Sequence, residues 1–253
     1  MSFEPVVGVD RLVEVCRHDP WVRWGLPRSA PVRAWHDADA DVVAVSRTRR
    51  PYGTSLFLLP GTAGLPAPVM RAALALGPPG ATGSLTAPAA AADDVLAAFS
   101  PAGAGVRWEW RWTTSAPPAA PPGPSLVDLD AADPAVAAEL AALLGEHSPR
   151  HSTEPGSADV AGWVGVRRGG RIVACAAWLE LVPSVPLLAS VAVHPDARRQ
   201  GLAAALTSWI SRRALAAGEP AVTVDLYADN DAARQVYQGL GFDLGHEFIS
   251  WSR

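Results

Sequence analysis

The order of segments in the second half of the chain restricts its fold more than any other feature. These segments are two apolar runs at 160–167 and 171–181, an apolar strand at 187–193, a helix at 201–216, a strand at 222–227, a helix at 231–239 and a strand near 247–251. Gly169 and Gly170 predict a tight hairpin between the first two runs. The order predicts a mixed α/β sheet with its chemistry at a strand-to-helix junction.

The first half contains a similar mixture of segments. Its expected helices are 10–17, 68–76 and 89–99, and its expected strands are 41–47, 54–59, 82–86 and 106–112. Trp108, Trp110 and Trp112 alternate along the last of these strands and therefore share one face. A Trp ladder of this kind packs against a neighbouring layer or forms an aromatic platform for a ligand.

A proline-rich stretch separates the two halves. Residues 113–124 read TTSAPPAAPPGP, and prolines remove backbone donors and favour an extended, semi-rigid conformation. Such a segment links domains. We therefore predict a domain at 1–113, a linker at 114–124 and a second domain at 125–253.

The composition excludes several function classes. The chain has no lysine, so it cannot form a Walker A loop, a pyridoxal-phosphate Schiff base or a lysine nucleophile. The net charge is −4 and long basic runs are absent, which argues against a nucleic-acid partner. Cys16 and Cys175 are expected to be core thiols.

Neither a long apolar run nor a signal-peptide core is present, so we expect no membrane contact and a cytoplasmic location. No pattern fixes an oligomeric state.

The first motif that carries chemistry is VAVHPDARRQGLA at 191–203. An apolar strand passes through a short turn into a helix that begins near Gly201, where free backbone N–H groups and the helix dipole favour an anion. Arg198 and Arg199 add guanidinium groups suited to phosphate. The alternative interpretation is an ordinary strand, turn and helix with solvated arginines.

The second motif is NDAARQVYQGLGF at 230–242. Ala233, Val236, Tyr237 and Leu240 form the apolar stripe of a short helix, closed by Gly239 or Gly241. Taken alone, this is a generic amphipathic helix.

Taken together, the two motifs resemble the GNAT superfamily of acyl-CoA-dependent N-acetyltransferases. The acyl-CoA motif of that family, R/Q-x-x-G-x-G/A after a strand, is matched by Arg198, Gly201 and Ala203. Its second pattern, N-x-x-A-x-x-x-Y-x-x-x-G-F, is matched by Asn230, Ala233, Tyr237, Gly241 and Phe242. The resemblance covers 125–253. It implies the GNAT fold there and acetyl-CoA as cosubstrate.

The resemblance also implies roles for individual residues. Backbone N–H groups of Arg199, Gln200, Gly201, Leu202 and Ala203 would hold the pyrophosphate of CoA. Val191 and Val193 would pair with the pantetheine arm, and the amide of Val191 would face the thioester oxygen, where a fixed donor stabilises the oxyanion. Asn230 would bond the pantetheine. Tyr237 would protonate the leaving thiolate, since a phenol is protonated at neutral pH; its alternative role is packing.

One element of the family pattern is missing. Many members carry a glutamate early on the strand before the position of Val191, whereas this stretch, 187–190, reads LLAS. The candidates for an alternative base are Glu180, Asp225, His151 and Glu154. His147 and His151 do not form a convincing metal pair, because Pro149 between them prevents a regular helix and no third ligand is apparent. We expect no metal.

Residues 1–113 resemble a degenerate copy of the same fold. The stretch 60–64 mimics 195–201 but is shorter, has no arginine and is followed by Pro66, which lacks an N–H. We therefore expect no CoA site in this half. The whole chain is expected to be a tandem GNAT protein that acetylates a small-molecule or peptide amine. The alternatives are a non-catalytic acyl-CoA-binding or interaction module, acyl transfer to a hydroxyl, and use of a longer acyl group.

Overall fold

The computed structural model describes residues 2–27, 32–49, 53–61, 64–76, 84–119 and 125–252. The strands in these residues are β1 Glu4–Val6, β2 Arg33–Asp37, β3 Val42–Arg49, β4 Gly53–Pro60, β5 Ser84–Pro88, β6 Val106–Thr113, β7 Leu126–Leu129, β8 Val160–Arg168, β9 Arg171–Val182, β10 Val185–Val193, β11 Val222–Tyr227 and β12 Asp243–Ser252. The helices are α1 Val9–Val15, α2 Pro20–Trp24, α3 Ala67–Ala75, α4 Ala92–Ala98, α5 Pro134–His147, α6 Leu202–Ala216 and α7 Asp231–Gly239. Short 3₁₀ helices occupy Ala89–Ala91 and Pro195–Ala197.

The chain divides into two compact units. The first comprises Met1–Trp110, Tyr227–Asp229 and Leu244–Arg253, and the second comprises Arg111–Leu226 and Asn230–Asp243. Most of β12 therefore belongs to the first unit, although it follows the second in sequence. The domain bounds expected from the sequence are 1–113, 114–124 and 125–253. They remain a prediction.

In the first unit, the sheet runs in the order β1-β2-β3-β4-β5-β12. Strands β1 to β4 are antiparallel, β4 and β5 are parallel, and β12 is antiparallel to β5. Helices α3 and α4 cover one face around the fully buried Leu58 and Met70. Trp108 packs against Phe57 and Phe248, so this part of the Trp ladder is packing within the core.

The second unit repeats this topology. Strands β7 to β10 form an antiparallel sheet in sequence order, and β11 is parallel to β10. One apolar cluster lies between the sheet and α6 with α7, and another lies between the sheet and α5. The predicted mixed α/β class is confirmed. The repeated strand order is that of a tandem arrangement.

Local sequence accounts for several helix boundaries. Asp133 accepts a hydrogen bond from the N–H of Ala135 and caps α5. Sequence reasoning missed α2, whose signal is Asp19 followed by Pro20: the Asp19 carboxylate accepts from the N–H groups of Trp21 and Val22.

The first part of the predicted linker packs on α6. The Ser208 hydroxyl donates to the carbonyl of Pro118 at 2.7 Å, and the Arg212 guanidinium donates to that of Pro117 at 2.8 Å. Residues 120–124 of the linker and 82–83 of the expected strand lie outside the described residues. Within the described ranges, no helix is both long and apolar enough to cross a membrane.

Candidate active site

Strands β10 and β11 separate along their length, and this separation is the centre of the site. They are paired at Leu187 with Thr223 and at Leu188 with Val224, after which β10 continues to Val193. The N–H of His194 donates to the carbonyl of Val173 on β9 at 2.9 Å. Because backbone groups alternate in direction along a regular strand, those of Val193 point away from β9. They face the side on which the two strands have parted.

A β-bulge interrupts β10 immediately before Val191. Ala189 pairs with Ala177 and Ala192 pairs with Cys175, so β10 has one residue more than β9 over this interval. Ser190 adopts a left-handed conformation with φ of +50°, which is uncommon for a serine. Its hydroxyl donates to the carbonyl of Thr153 at 3.0 Å. Strain of this kind occurs preferentially at functional sites.

The turn between β10 and α6 presents unpaired backbone donors. Arg199 and Gly201 both have positive φ angles, +58° and +74°. Backbone segments with this conformation form concave sites that bind anions. Gly201 precedes α6 and no side chain caps the helix there. The N–H groups of Leu202 and Ala203 are therefore open to an anion. A Cβ on Gly201 would meet no atom within 4 Å, so the space beside it is open.

The side chains of this turn are held by further contacts. Arg198 donates from Nε to the carbonyl of Val193 at 3.1 Å. Gln200 donates to the carbonyl of Asp196 at 3.3 Å and accepts from Arg168 at 2.8 Å. Arg168 belongs to the β8–β9 hairpin and brings a third guanidinium to the turn.

Helix α7 places Asn230 and Tyr237 on the same side of the sheet. The Asn230 carbonyl oxygen Oδ1 accepts from the N–H of Ala233 at 3.1 Å and so caps the helix. Its amide NH₂ group donates to no other described residue, so its donors can serve a ligand. Tyr237 is buried against Phe242, and its hydroxyl makes no hydrogen bond within the described part of the chain. Burial raises the pKa of Tyr237 above its usual value.

The apolar cluster beneath α6 and α7 brings five of the eleven expected site residues together. Leu202 and Tyr237 belong to its buried part, and Val191, Val193 and Ala233 pack against it. Exposed Arg198, Arg199 and Gln200 lie at the adjoining turn.

The loop that follows α5 lies on the opposite face. Thr153 is 3% exposed, its carbonyl accepts from Ser190, and its own hydroxyl has no partner among the described residues. His151 is held by Ser148 through Nδ1 at 2.9 Å and by Glu154 through Nε2 at 2.7 Å. Two of the four candidate bases, His151 and Glu154, thus lie within two residues in sequence of the Thr153 carbonyl that contacts the bulge.

The other two candidates are differently placed. Glu180 is exposed on β9. Asp225 lies between Val224 and Leu226, which both face the α6 and α7 cluster, so its side chain points to the opposite face. Over the described ranges, no three His, Cys, Asp or Glu side chains are arranged to hold a metal ion.

The model of the acetyltransferase (GNAT) family matches residues 134–242. This segment includes the separated strands, the turn, α6 and α7. Residues 134–242 are therefore similar to a GNAT domain. This similarity supports acyl transfer as the coarse functional class.

Solved GNAT structures share the fold over nearly the whole chain. The GCN5-related N-acetyltransferase of Kribbella flavida is 18% identical, with 98% of this chain and 96% of that chain covered and a TM-score of 0.55. The GCN5-related N-acetyltransferase of Sphaerobacter thermophilus is 16% identical, with 94% and 84% covered and a TM-score of 0.58. A GNAT acetyltransferase of Colwellia psychrerythraea is 9% identical, with 100% and 99% covered and a TM-score of 0.52. No curated protein matches the chain.

Sequence reasoning missed three contributors to the geometry of this site. The sequence places Ser190 in a regular strand, and it gives no signal for Thr153 or Arg168. The bulge and the contact between the loop and the strand bring together residues far apart in sequence, so no local pattern reports them.

Proposed function

We propose that this protein transfers an acetyl group from acetyl-CoA to an amine by direct attack of the amine on the thioester. The observation that carries the proposal is the parting of β10 from β11 next to an uncapped helix N-terminus and a buried tyrosine. A small-molecule or peptide amine is the proposed acceptor. We place the reaction in the cytoplasm, as expected from the sequence.

The turn and helix α6 are proposed to hold the pyrophosphate of CoA. Its negative charge matches the N–H groups of residues 199–203 and the guanidinium groups of Arg198 and Arg199. The open space beside Gly201 supports this fit. The fit does not depend on side-chain rearrangement, because no side chain caps this helix end.

The exposed edge of β10 is proposed to align the pantetheine arm as an added strand. Val191 and Val193 are the residues assigned to this pairing, although the carbonyl of Val193 already accepts from Arg198. Asn230 offers its amide from the other side of the gap. The N–H of Val191 is assigned to the thioester oxygen, where negative charge develops during attack.

Tyr237 is proposed to donate its proton to the sulfur of CoA as the thiolate departs. Its hydroxyl has no hydrogen-bond partner among the residues that the structure describes and is therefore available to donate. Burial keeps the phenol protonated at neutral pH. The thiolate forms in the same apolar surroundings, which penalise its charge as well and so favour its protonation.

The test begins with a screen of amine acceptors at saturating acetyl-CoA, with release of the CoA thiol as the readout. In Tyr237→Phe, the ring packing is kept and the donor is removed. We expect kcat to fall by ~10² to 10⁴ with acetyl-CoA affinity unchanged. Turnover at the parent rate would make Tyr237 a packing residue. Tight CoA binding without turnover on any acceptor would favour a non-catalytic acyl-CoA-binding module instead.

A further inference from the structure

The backbone of β10 is irregular at Ser190, one residue before the position assigned to the thioester oxygen. Between the pair Ala189 with Ala177 and the pair Ala192 with Cys175, β10 has two residues and β9 has one. A bulge of this kind increases the local twist and changes the direction of the backbone groups within it. The direction of the N–H that follows Ser190 is therefore set by the bulge and not by the regular alternation of the strand.

The conformation of Ser190 requires support from its surroundings. Its φ of +50° lies in the left-handed region, which is unfavourable for a residue with a Cβ. Two side-chain contacts hold it: its hydroxyl donates to the carbonyl of Thr153 at 3.0 Å, and its own carbonyl lies 3.8 Å from Sγ of Cys175. Ser190 and Thr153 are 9% and 3% exposed, so little water competes for the hydroxyl bond.

The segment that provides the Thr153 carbonyl is itself held on both sides. Before it, the N–H of His151 donates to the carbonyl of Ser148 at 2.8 Å. After it, the N–H of Ser157 donates to the carbonyl of Glu154 at 3.1 Å, and the N–H of Glu154 donates to the hydroxyl of Ser157 at 3.3 Å. The Thr153 carbonyl is therefore a fixed acceptor, and it ties the bulge to a segment that is not part of the sheet.

We propose that Ser190 is a positioning residue, whose hydroxyl bond to Thr153 holds the bulge in the geometry that directs the N–H of Val191 to the thioester oxygen. This inference rests on the proposed acetyl transfer. In this role Ser190 contacts neither substrate and acts through Val191. Negative charge collects on the thioester oxygen as the amine attacks, and a donor that is fixed in advance stabilises this charge without having to reorient.

The size of the expected effect follows from the distance over which such a donor works. A displacement of about 1 Å at a reacting position can reduce the rate about 10²-fold, whereas binding of the rest of a large cosubstrate is little changed. Loss of the Ser190 hydroxyl should therefore lower kcat and leave the affinity for acetyl-CoA close to that of the parent. A hydroxyl that only stabilises the fold would lower the thermal midpoint without this selective loss of kcat.

Ser208 on α6 provides a matched control. It is 1% exposed, and its hydroxyl donates to the carbonyl of Pro118 at 2.7 Å. Like Ser190, it is a buried serine bonded to a carbonyl of a segment distant in sequence. It is not assigned to the CoA site or to the reaction, so Ser208→Ala removes a comparable hydrogen bond and leaves β10 unchanged.

The experiment measures kcat for the best amine acceptor by release of the CoA thiol, acetyl-CoA affinity by calorimetry and the thermal midpoint, all on the full chain. In Ser190→Ala we expect kcat to fall by ~10- to 100-fold, with acetyl-CoA affinity within about 3-fold of the parent. Ser190→Gly removes the same hydroxyl but accepts the left-handed backbone without strain, so it should be at least as stable as Ser190→Ala and lose at least as much of kcat. Ser208→Ala should lower the thermal midpoint and keep the parent kcat.

The glycine variant keeps the test decisive even if Ser190→Ala does not fold. A parent-like kcat in Ser190→Gly would overturn the inference and leave acetyl transfer intact. A fall in kcat that Ser208→Ala shares would also overturn it, because the effect would then follow stability. A loss of acetyl-CoA affinity as large as the loss of kcat would overturn it by assigning Ser190 to cosubstrate binding. Failure of the parent protein to acetylate any amine would overturn the proposed function together with this inference.

Discussion

The strand-to-helix junctions of the two units begin with the same backbone conformation and then differ. Gly64 in the first unit and Gly201 in the second have φ of +77° and +74°. After Gly64, the N–H of Leu65 donates to the Asp94 carboxylate at 3.0 Å, and Pro66 has no N–H to offer. After Gly201, no side chain in the described part of the chain accepts from the corresponding N–H groups. In the first unit, the Asp94 carboxylate therefore accepts the hydrogen bond that the N–H of Leu65 would otherwise donate to a phosphate.

The strands that lead to these junctions also differ. β4 pairs with β3 without interruption from Val42 with Pro60 to Arg49 with Gly53. β10 carries the bulge at Ser190 and Val191. The two units therefore share their strand topology, whereas local backbone features decide which of them can bind a ligand. The absence of a CoA site in residues 1–113 remains a prediction.

The largest expected effect follows from substituting the two glycines in turn. Gly201→Glu places a carboxylate in the space proposed for the pyrophosphate, so CoA affinity should fall by ~100-fold or more, as measured by calorimetry. Gly64→Glu imposes the same positive-φ strain, of about 1–2 kcal/mol, on the other unit and should leave affinity unchanged.

The same titration tests the difference between the units directly. The parent chain should saturate at one CoA. Parent-like affinity in folded Gly201→Glu would contradict the assignment of this turn. A second site that survives Gly201→Glu would show that the first unit also binds CoA.

An intermediate effect is expected at Asn230, where capping and ligand binding are separable. Asn230→Asp keeps the oxygen that caps α7 but removes the amide donor. CoA affinity should fall by ~3- to 10-fold, the equivalent of one hydrogen bond, with thermal stability close to that of the parent. Asn230→Ala should lose the same affinity and in addition ~1 kcal/mol of stability with the cap. Unchanged affinity in Asn230→Asp would limit Asn230 to a capping role.

The smallest effect on stability is expected from a helix carboxylate that accepts a backbone hydrogen bond, of which each unit has an example. Asp94 accepts from Leu65, and Glu139 on α5 accepts from the N–H of Ile172 and from Arg167, each at 3.0 Å. The bond from Ile172, followed by that from Arg167, lowers the pKa of Glu139 below its usual value. A carboxylate whose pKa is lower in the folded state stabilises the fold at pH values above its unfolded-state pKa. This stabilisation is lost as the pH falls towards its folded-state pKa.

Glu139→Gln should therefore lower the thermal midpoint near neutral pH by less than about 4 °C, because the pair is partly solvated. The difference from the parent should shrink as the pH drops below the ordinary range of a glutamate, near ~4.3. Thermal unfolding of both proteins between neutral and acid pH measures this. A difference independent of pH would assign the effect to packing.

The sequence alone determined the fold class and the elements of the second unit. Apolar runs, the Gly169-Gly170 turn and the capping residue Asp133 act over a few residues, and such signals are readable without coordinates. Gly201 and Tyr237 were also predicted, because their patterns span a single strand, turn and helix.

Only the tertiary structure decided the remaining features. The placement of most of β12 in the first unit, the bond between Ser190 and Thr153, and the carboxylate of Asp94 at Leu65 all join segments distant in sequence. Their energies depend on which segments become neighbours in the folded sheet, and no local pattern encodes that proximity.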